Sequence, residues 1–391
     1  MRNKWTSFLT KCFFTVFLIG MSGLFCPASV QAKAEEETED IDKYLWAQME
    51  DYDLKEIENG FRGLFPGISV DMDEILSFIM KGELIEAGKV FLGSIWEGIT
   101  GELTSVKEVL VSILIIGIVS ALFANFSDLF SGKQVAQVGF YFLYLLLMAV
   151  LTRAFAAAAE FAILAMENTV LFVKMFIPTW FIAVGTASGS ATAMFYYQVM
   201  LVVVYLVESF LLKVLVPFVY SYVVLALLNG IWAEERLSLL LDLLKKTIIF
   251  SQKLAMGSIT GLSLVQSVIL PVLDGLKITA LRKAVSAIPG IGGMAEGVTE
   301  LVIGSAVLIK NSLGILLFML LVVACVIPMA KLFLIGGIIK IGAAVSGIVS
   351  DKRISGCADR VGEGLFLLLR CLFTCVVLFL IVIAVVSHSL K

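Results

Sequence analysis

Between Leu365 and Val386 the chain reads "LFLLLRCLFTCVVLFLIVIAVV", with Arg370 as its one charge. A run of this kind fits the ~20 apolar residues that a helix needs to cross ~30 Å of hydrocarbon. It is one of several. Val109–Phe126, Val135–Leu151, Val170–Thr186 and Phe195–Leu212 are comparable, and Val214–Leu228 is a shorter candidate near Pro217. Leu301–Ile309 and Leu313–Ile327 are separated only by Lys310 and Asn311, and Lys331–Val349 is glycine-rich. Composition agrees: the 391 residues are 60% hydrophobic and 16% charged, against about 45–50% and 25% in a soluble domain. One water-soluble core cannot absorb that excess. The predicted fold is all-α, a polytopic integral membrane protein with about six to eight transmembrane helices.

Two stretches leave the count open. Thr247–Leu270 is dotted with Ser, Gln and Gly and can span only with its polar face against protein. Residues 331–349 either cross or re-enter. If they do not cross, Lys331, Lys340, Lys352, Arg353 and Arg360 gather on one side. The positive-inside rule assigns such a cluster to the cytoplasm, which favours the non-crossing reading.

The amino terminus is a separate unit. Arg2, Lys4 and Lys11 precede the apolar run Cys12–Phe25, and Val30-Gln31-Ala32 puts small residues at the −3 and −1 positions. This is the layout of a secretory signal peptide over residues 1–32, with cleavage expected after Ala32; an uncleaved anchor is the alternative. Residues 33–107 hold 18 Asp and Glu against 7 Lys and Arg, whereas 108–391 hold 14 against 19. The signal, not the acidity, predicts that 33–107 is exported. Within it, 33–42 is a solvated acidic run. Tyr44, Leu45, Met49 and Tyr52 recur at helical spacing, Phe61–Gly67 reads as a turn, and Asp71–Phe78 reads as a helix start with acidic residues in its first turn. Short helices lying on the membrane or docked on a partner are expected there. The polytopic domain occupies 108–391.

Catalysis finds little to work with. His388 is the single histidine, and neither a phosphate-binding G-x-x-x-x-G-K-[ST] loop nor a G-x-S-x-G elbow is present. "GIGG" at 290–293 follows no strand of a βαβ unit. Cys325, Cys357, Cys371 and Cys375 lie in or beside apolar stretches without metal-site spacing, and Cys371 and Cys375 are one helical turn apart, as packing residues would be. No enzyme activity, cofactor, metal or nucleic-acid partner is expected.

Ionisable residues inside spans are costly and so mark function. Lys174, Glu208, Lys213, Lys310 and Arg370 are the candidates. Lys213 and Arg370 sit where a long side chain can snorkel to the interface. Lys174, Glu208 and Lys310, with Asn311 beside the last, form the candidate polar path.

The stretch "DGLKITALRKAVSAIPGIGG", residues 274–293, sets a basic segment between apolar ones. At 100° per residue, Ile278, Leu281, Val285 and Ile288 fall within about 80° of one another, with Thr279, Arg282, Lys283 and Ser286 opposite. An amphipathic helix over about 275–289, ended by Pro289 and Gly290, is predicted. It is either an inert interfacial connector or a face for a partner. The partner reading names Asp274, Gly275, Lys277, Arg282, Lys283, Pro289, Gly290 and Gly292.

In this order of elements the chain resembles the stage III sporulation protein AE family of endospore-forming bacteria. The likeness is most specific at Asp274-Gly275, Arg282, Ile288-Pro289, Gly292, Lys310-Asn311 and Gly314, in "DGLKITALRKAVSAIPGIGG" and "LVIGSAVLIKNSLGILL". The resemblance implies a multi-pass protein of the mother-cell membrane surrounding the forespore, its exported segment in the intermembrane space. It implies a channel or secretion-like complex that sustains forespore development. The implied partners are the operon's other membrane proteins, its ring-forming proteins, its cytoplasmic ATPase and a forespore membrane protein. A stand-alone secondary transporter, suggested by the Gly/Pro-interrupted segments 170–193 and 326–349, and a non-conducting scaffold are the competing readings.

Overall fold

Every described residue that belongs to a regular element is helical, as burial of backbone polar groups in lipid demands. The computed structural model describes residues 54–94, 111, 115, 133–231, 236–261, 292–349 and 352–389, except 67, 69, 84, 91 and 189. The predicted signal peptide and its cleavage site, most of the span 109–126 and the basic helix at 275–289 lie outside these residues.

Two short helices come first among the described residues, followed by helical residues at 85–90 and 92–94. Helix α1, Leu54–Leu64, turns Ile57 and Phe61 inward. Phe61 and Phe65 both pack on Phe172, with ring centroids 5.0 and 6.3 Å apart, and Asn168 Nδ2 donates to the Leu64 carbonyl at 2.7 Å. Those contacts hold the last turn of α1 together, so the chain turns at Phe65-Pro66 and not from Phe61 onward. Helix α2, Met72–Met80, starts where the sequence placed it: the Asp71 carboxylate accepts the Glu74 amide at 3.0 Å. It stops at Gly82, whose φ of +77° only glycine adopts freely. Helix α1 rests on α3 and α2 on α7, both defined below.

The body consists of helices longer than the predicted spans. Helix α3, Lys133–Ser188, has 56 residues, about 84 Å at 1.5 Å per residue. It joins Val135–Leu151 and Val170–Thr186 into one rod through Pro178. Helix α4, Ser190–Phe210, continues through a π-helical turn, Leu211–Leu215, into α5, Val216–Asn229. Pro217 lacks an N–H and its ring crowds the carbonyl four residues back; the chain widens there and the Val216 amide bonds Leu211 instead. The uncharged small-residue run "GTASGSATA", 185–193, reads as a loop in the sequence but is helical on both sides of residue 189. Helix α6 covers 238–261. Helix α7, Gly292–Val349, absorbs three predicted segments, so 331–349 is neither a separate span nor a re-entrant loop but its final third. Helix α8, Lys352–Ser389, contains the strong final run. Among the described residues, four stretches are long and apolar enough to cross a membrane: Val138–Thr186, Tyr197–Asn229, Val307–Gly347 and Lys352–Ala384.

The last two are 72% and 78% buried over their most apolar windows, the first two 33% and 39%, so α7 and α8 form the centre and α3–α5 the flank. Glycine lets the centre close. A Cβ on Gly336 would stand 3.4 Å from Leu365, one on Gly362 would stand 2.7 Å from Lys340 Cγ, and one on Gly364 would overlap Val223 of α5. Small residues at such crossings replace the hydrophobic drive that lipid cannot supply. Gly364→Ala is therefore expected to destabilise the protein by about 1–3 kcal/mol. Gly356→Ala, with open space around it, is expected to be neutral or stabilising by up to about 1 kcal/mol. Thermal unfolding in detergent, followed by tryptophan fluorescence, separates them; equal losses would show that the seam is not tight at Gly364.

Candidate functional site

Helices α3 and α4 form an antiparallel hairpin, with Phe181 and Tyr197 in edge contact near its turn at 5.8 Å. Deeper along it, Lys174 Nζ reaches Glu208 Oε2 at 2.7 Å. Two residues of the predicted polar path thus become one ion pair. Both side chains are a little more than a third exposed, 39% and 34%. Each charge has its counter-charge, which is how an ionisable side chain becomes tolerable at membrane depth.

Lys310 does not join them. It is 1% exposed, inside the bundle, with Asn311 half-buried beside it. Thr169 of α3 stands 3.6 Å from Cys325 of the antiparallel α7. Counting from that contact, Lys310 lies roughly 15 Å beyond Lys174 along the bundle. Lys213 is exposed on the π-helical turn and Arg370 is half-buried. Of the residues named for a partner face, Gly292 opens α7, and Asp274, Gly275, Lys277, Arg282, Lys283, Pro289 and Gly290 lie outside the described residues.

A second polar centre escaped the sequence reading. Glu363 of α8 accepts from Tyr222 Oη of α5 at 2.8 Å and pairs with Lys245 of α6 at 2.8 Å. One turn earlier on α8, Asp359 takes Lys340 of α7 at 2.6 Å. Tyr144 of α3 donates to the Leu227 carbonyl of α5. These contacts tie α3, α5, α6, α7 and α8 together at one level. The available signal was the run "ADRVGEG", 358–364, where a carboxylate sits between two glycines beside the final span.

The chemistry of this arrangement is electrostatic and structural. Carboxylates and ammonium groups neutralise one another, while Cys325, Cys357, Cys371 and Cys375 are buried free thiols. Gln252 Nε2 of α6 donates to Cys371 Sγ at 3.1 Å. Such bonds fix helix register.

The Lys174–Glu208 pair makes a testable claim. Lys174→Met strands the Glu208 charge and is expected to lower stability by about 1–3 kcal/mol. Exchanging the pair, Lys174→Glu with Glu208→Lys, is expected to recover most of it. Unfolding in detergent measures both; an exchange as damaging as the single change would mean that the pair adds nothing.

Comparison with known proteins follows the same outline. A family model described as stage III sporulation protein AE matches residues 70–389, which takes in α2 to α8. Stage III sporulation protein AE of Bacillus subtilis (strain 168) is 20% identical over 332 residues, covering 85% of this chain and 82% of that protein. No solved structure matches. A match over that length, across a helical membrane body, identifies the chain as a member of the stage III sporulation protein AE family.

Proposed function

We propose that this chain is the polytopic membrane subunit of a sporulation channel or secretion-like complex between mother cell and forespore. The observation that carries the reading is the family match over 70–389, together with the sporulation protein of similar length that the chain resembles. In this reading the protein sits in the mother-cell membrane around the forespore. Its exported segment faces the intermembrane space and meets ring-forming proteins there, and its cytoplasmic side meets the operon's ATPase.

Charge distribution supports that orientation. Lys245, Lys340 and Arg360 cluster at the level of Glu363, whereas α1 packs beside Asn168 and Phe172, further along α3. Basic groups at one end and the predicted exported helices toward the other follow the positive-inside rule. A stand-alone transporter gains less support: α3 and α7 run as helices through Pro178 and Pro328, where a midplane substrate site is typically built on unwound backbone.

Affinity purification from sporulating cells is expected to recover the operon's other membrane proteins with this one; recovery of an isolated subunit would refute the complex. Glu208→Gln with Lys174→Gln removes the charges and keeps size. If the complex still assembles, arrested forespore development supports conduction through it, and normal development supports a scaffold.

A further inference from the structure

Two outward helix faces carry the same rhythm with opposite charge. On α3 the exposed residues Ala157, Glu160, Leu164, Glu167 and Leu171 follow one another at steps of three and four. On α6 the exposed residues Leu243, Lys246, Phe250, Lys253 and Gly257 repeat those steps. This is the spacing of a seam along which one helix packs on another. Leu164 and Leu171 are 53% and 49% exposed, Leu243 and Phe250 61% and 65%. None of Glu160, Glu167, Lys246 and Lys253 forms an ion pair among the described residues.

The two seams run in the same direction and at nearly the same height. Lys245 of α6 meets Glu363 of α8, and the adjoining Gly364 lies against Phe155 of α3. Further on, Gln252 meets Cys371, and Thr169 meets Cys325. The α7–α8 register, set by Lys340–Asp359 and by Gly336 against Phe366, puts Cys325 about one turn beyond Cys371. Counted from these contacts, Glu160 and Glu167 stand within about one and a half turns, ~8 Å, of Lys246 and Lys253 respectively.

We propose that α3 of one copy packs parallel to α6 of a second copy, Glu160 pairing with Lys246 and Glu167 with Lys253, in a head-to-tail ring. Leu164 then faces Phe250, and Arg153 falls beside Leu239 with the exposed Asp242 one turn on. Copies inserted in one membrane share one orientation and can be related only by rotation about its normal, which keeps the helices parallel. A two-fold contact through α3 alone would set Glu160 and Glu167 against their own kind and repel. Two different, complementary faces make a heterologous contact, and rotation about a common axis closes it. Lipid is the poorer cover, because an unpaired carboxylate in hydrocarbon is costly. The assembly stands whether or not it conducts.

The test uses the full-length protein, with its native cysteines replaced, in its own membrane. Copies bearing only Glu167→Cys are co-expressed with copies bearing only Lys253→Cys and treated with a short homobifunctional maleimide. A cross-linked dimer is expected from the mixture and none from either variant alone; the double variant is expected to give a ladder of oligomers. A second measurement uses Leu164→Cys and Phe250→Cys as reporters. Glu160→Lys with Glu167→Lys is expected to reduce their cross-linking to background, and adding Lys246→Glu with Lys253→Glu to restore it. No dimer in the mixture overturns the proposal, as do dimers from single variants, intramolecular linkage only, or indifference to charge reversal.

Discussion

Two helices reach backbone contact only where side chains are missing, and α7 and α8 meet through Gly336, Gly347 and Gly362. In lipid, apolar side chains gain little by leaving one oily surface for another, so close packing and polar pairing must supply the attraction. The seam has both. Lys340 reaches across it to Asp359, and Glu363, one turn on, points to Tyr222 and Lys245 on the flanking helices. Gly364 lets Val223 of α5 settle against α8 beside Phe155 of α3. If α7 and α8 stood further apart, the flanking helices would lose their seats as well.

Ionic contacts therefore serve a different purpose from those on a water-soluble surface, where an exposed pair contributes little. Here they select register. A hairpin of two long apolar helices can slide by a turn with small loss of packing, but sliding α4 by a turn would separate Glu208 from Lys174. Lys174–Glu208 pins α3 to α4, Lys340–Asp359 pins α7 to α8, and Glu363 ties in α5 and α6. A bundle so pinned keeps its outer faces in fixed positions.

Hydropathy revealed the membrane class and the approximate places of the four described stretches that are apolar enough to span, because apolar length is a local property. Helix ends were harder to read. Arg153, Glu160 and Glu167 cut the hydropathy of α3 into two segments, yet "AFAAAAEFAILAMEN" is rich in strong helix formers and the backbone runs straight through. Solvent preference changes there while conformation does not. The small residues of 185–193 likewise suggested a loop, yet α3 runs to Ser188 and α4 starts at Ser190, on the two sides of the hairpin's turn. Lys174 and Glu208 each stood out as ionisable residues at depth. Their partnership stayed hidden because it depends on where that turn falls. Glu363 was missed for a related reason: with the final span drawn from Leu365, a carboxylate two residues earlier looks like an interfacial charge. Its role belongs to Tyr222 and Lys245, more than a hundred residues away in sequence.

The π-helical turn at Leu211–Leu215 has an arithmetic consequence. In an unbroken α-helix, fourteen residues return to within about 40° of the starting direction, so Glu208 and Tyr222 would face nearly the same way. One extra residue in the turn delays everything after it by about 100°. Glu208 can therefore face α3 while Tyr222 faces α8. The wide turn acts as a phase shifter between two halves of one rod, and tightening it to an ordinary α-helical turn with every residue kept would aim the half that follows at the wrong neighbour.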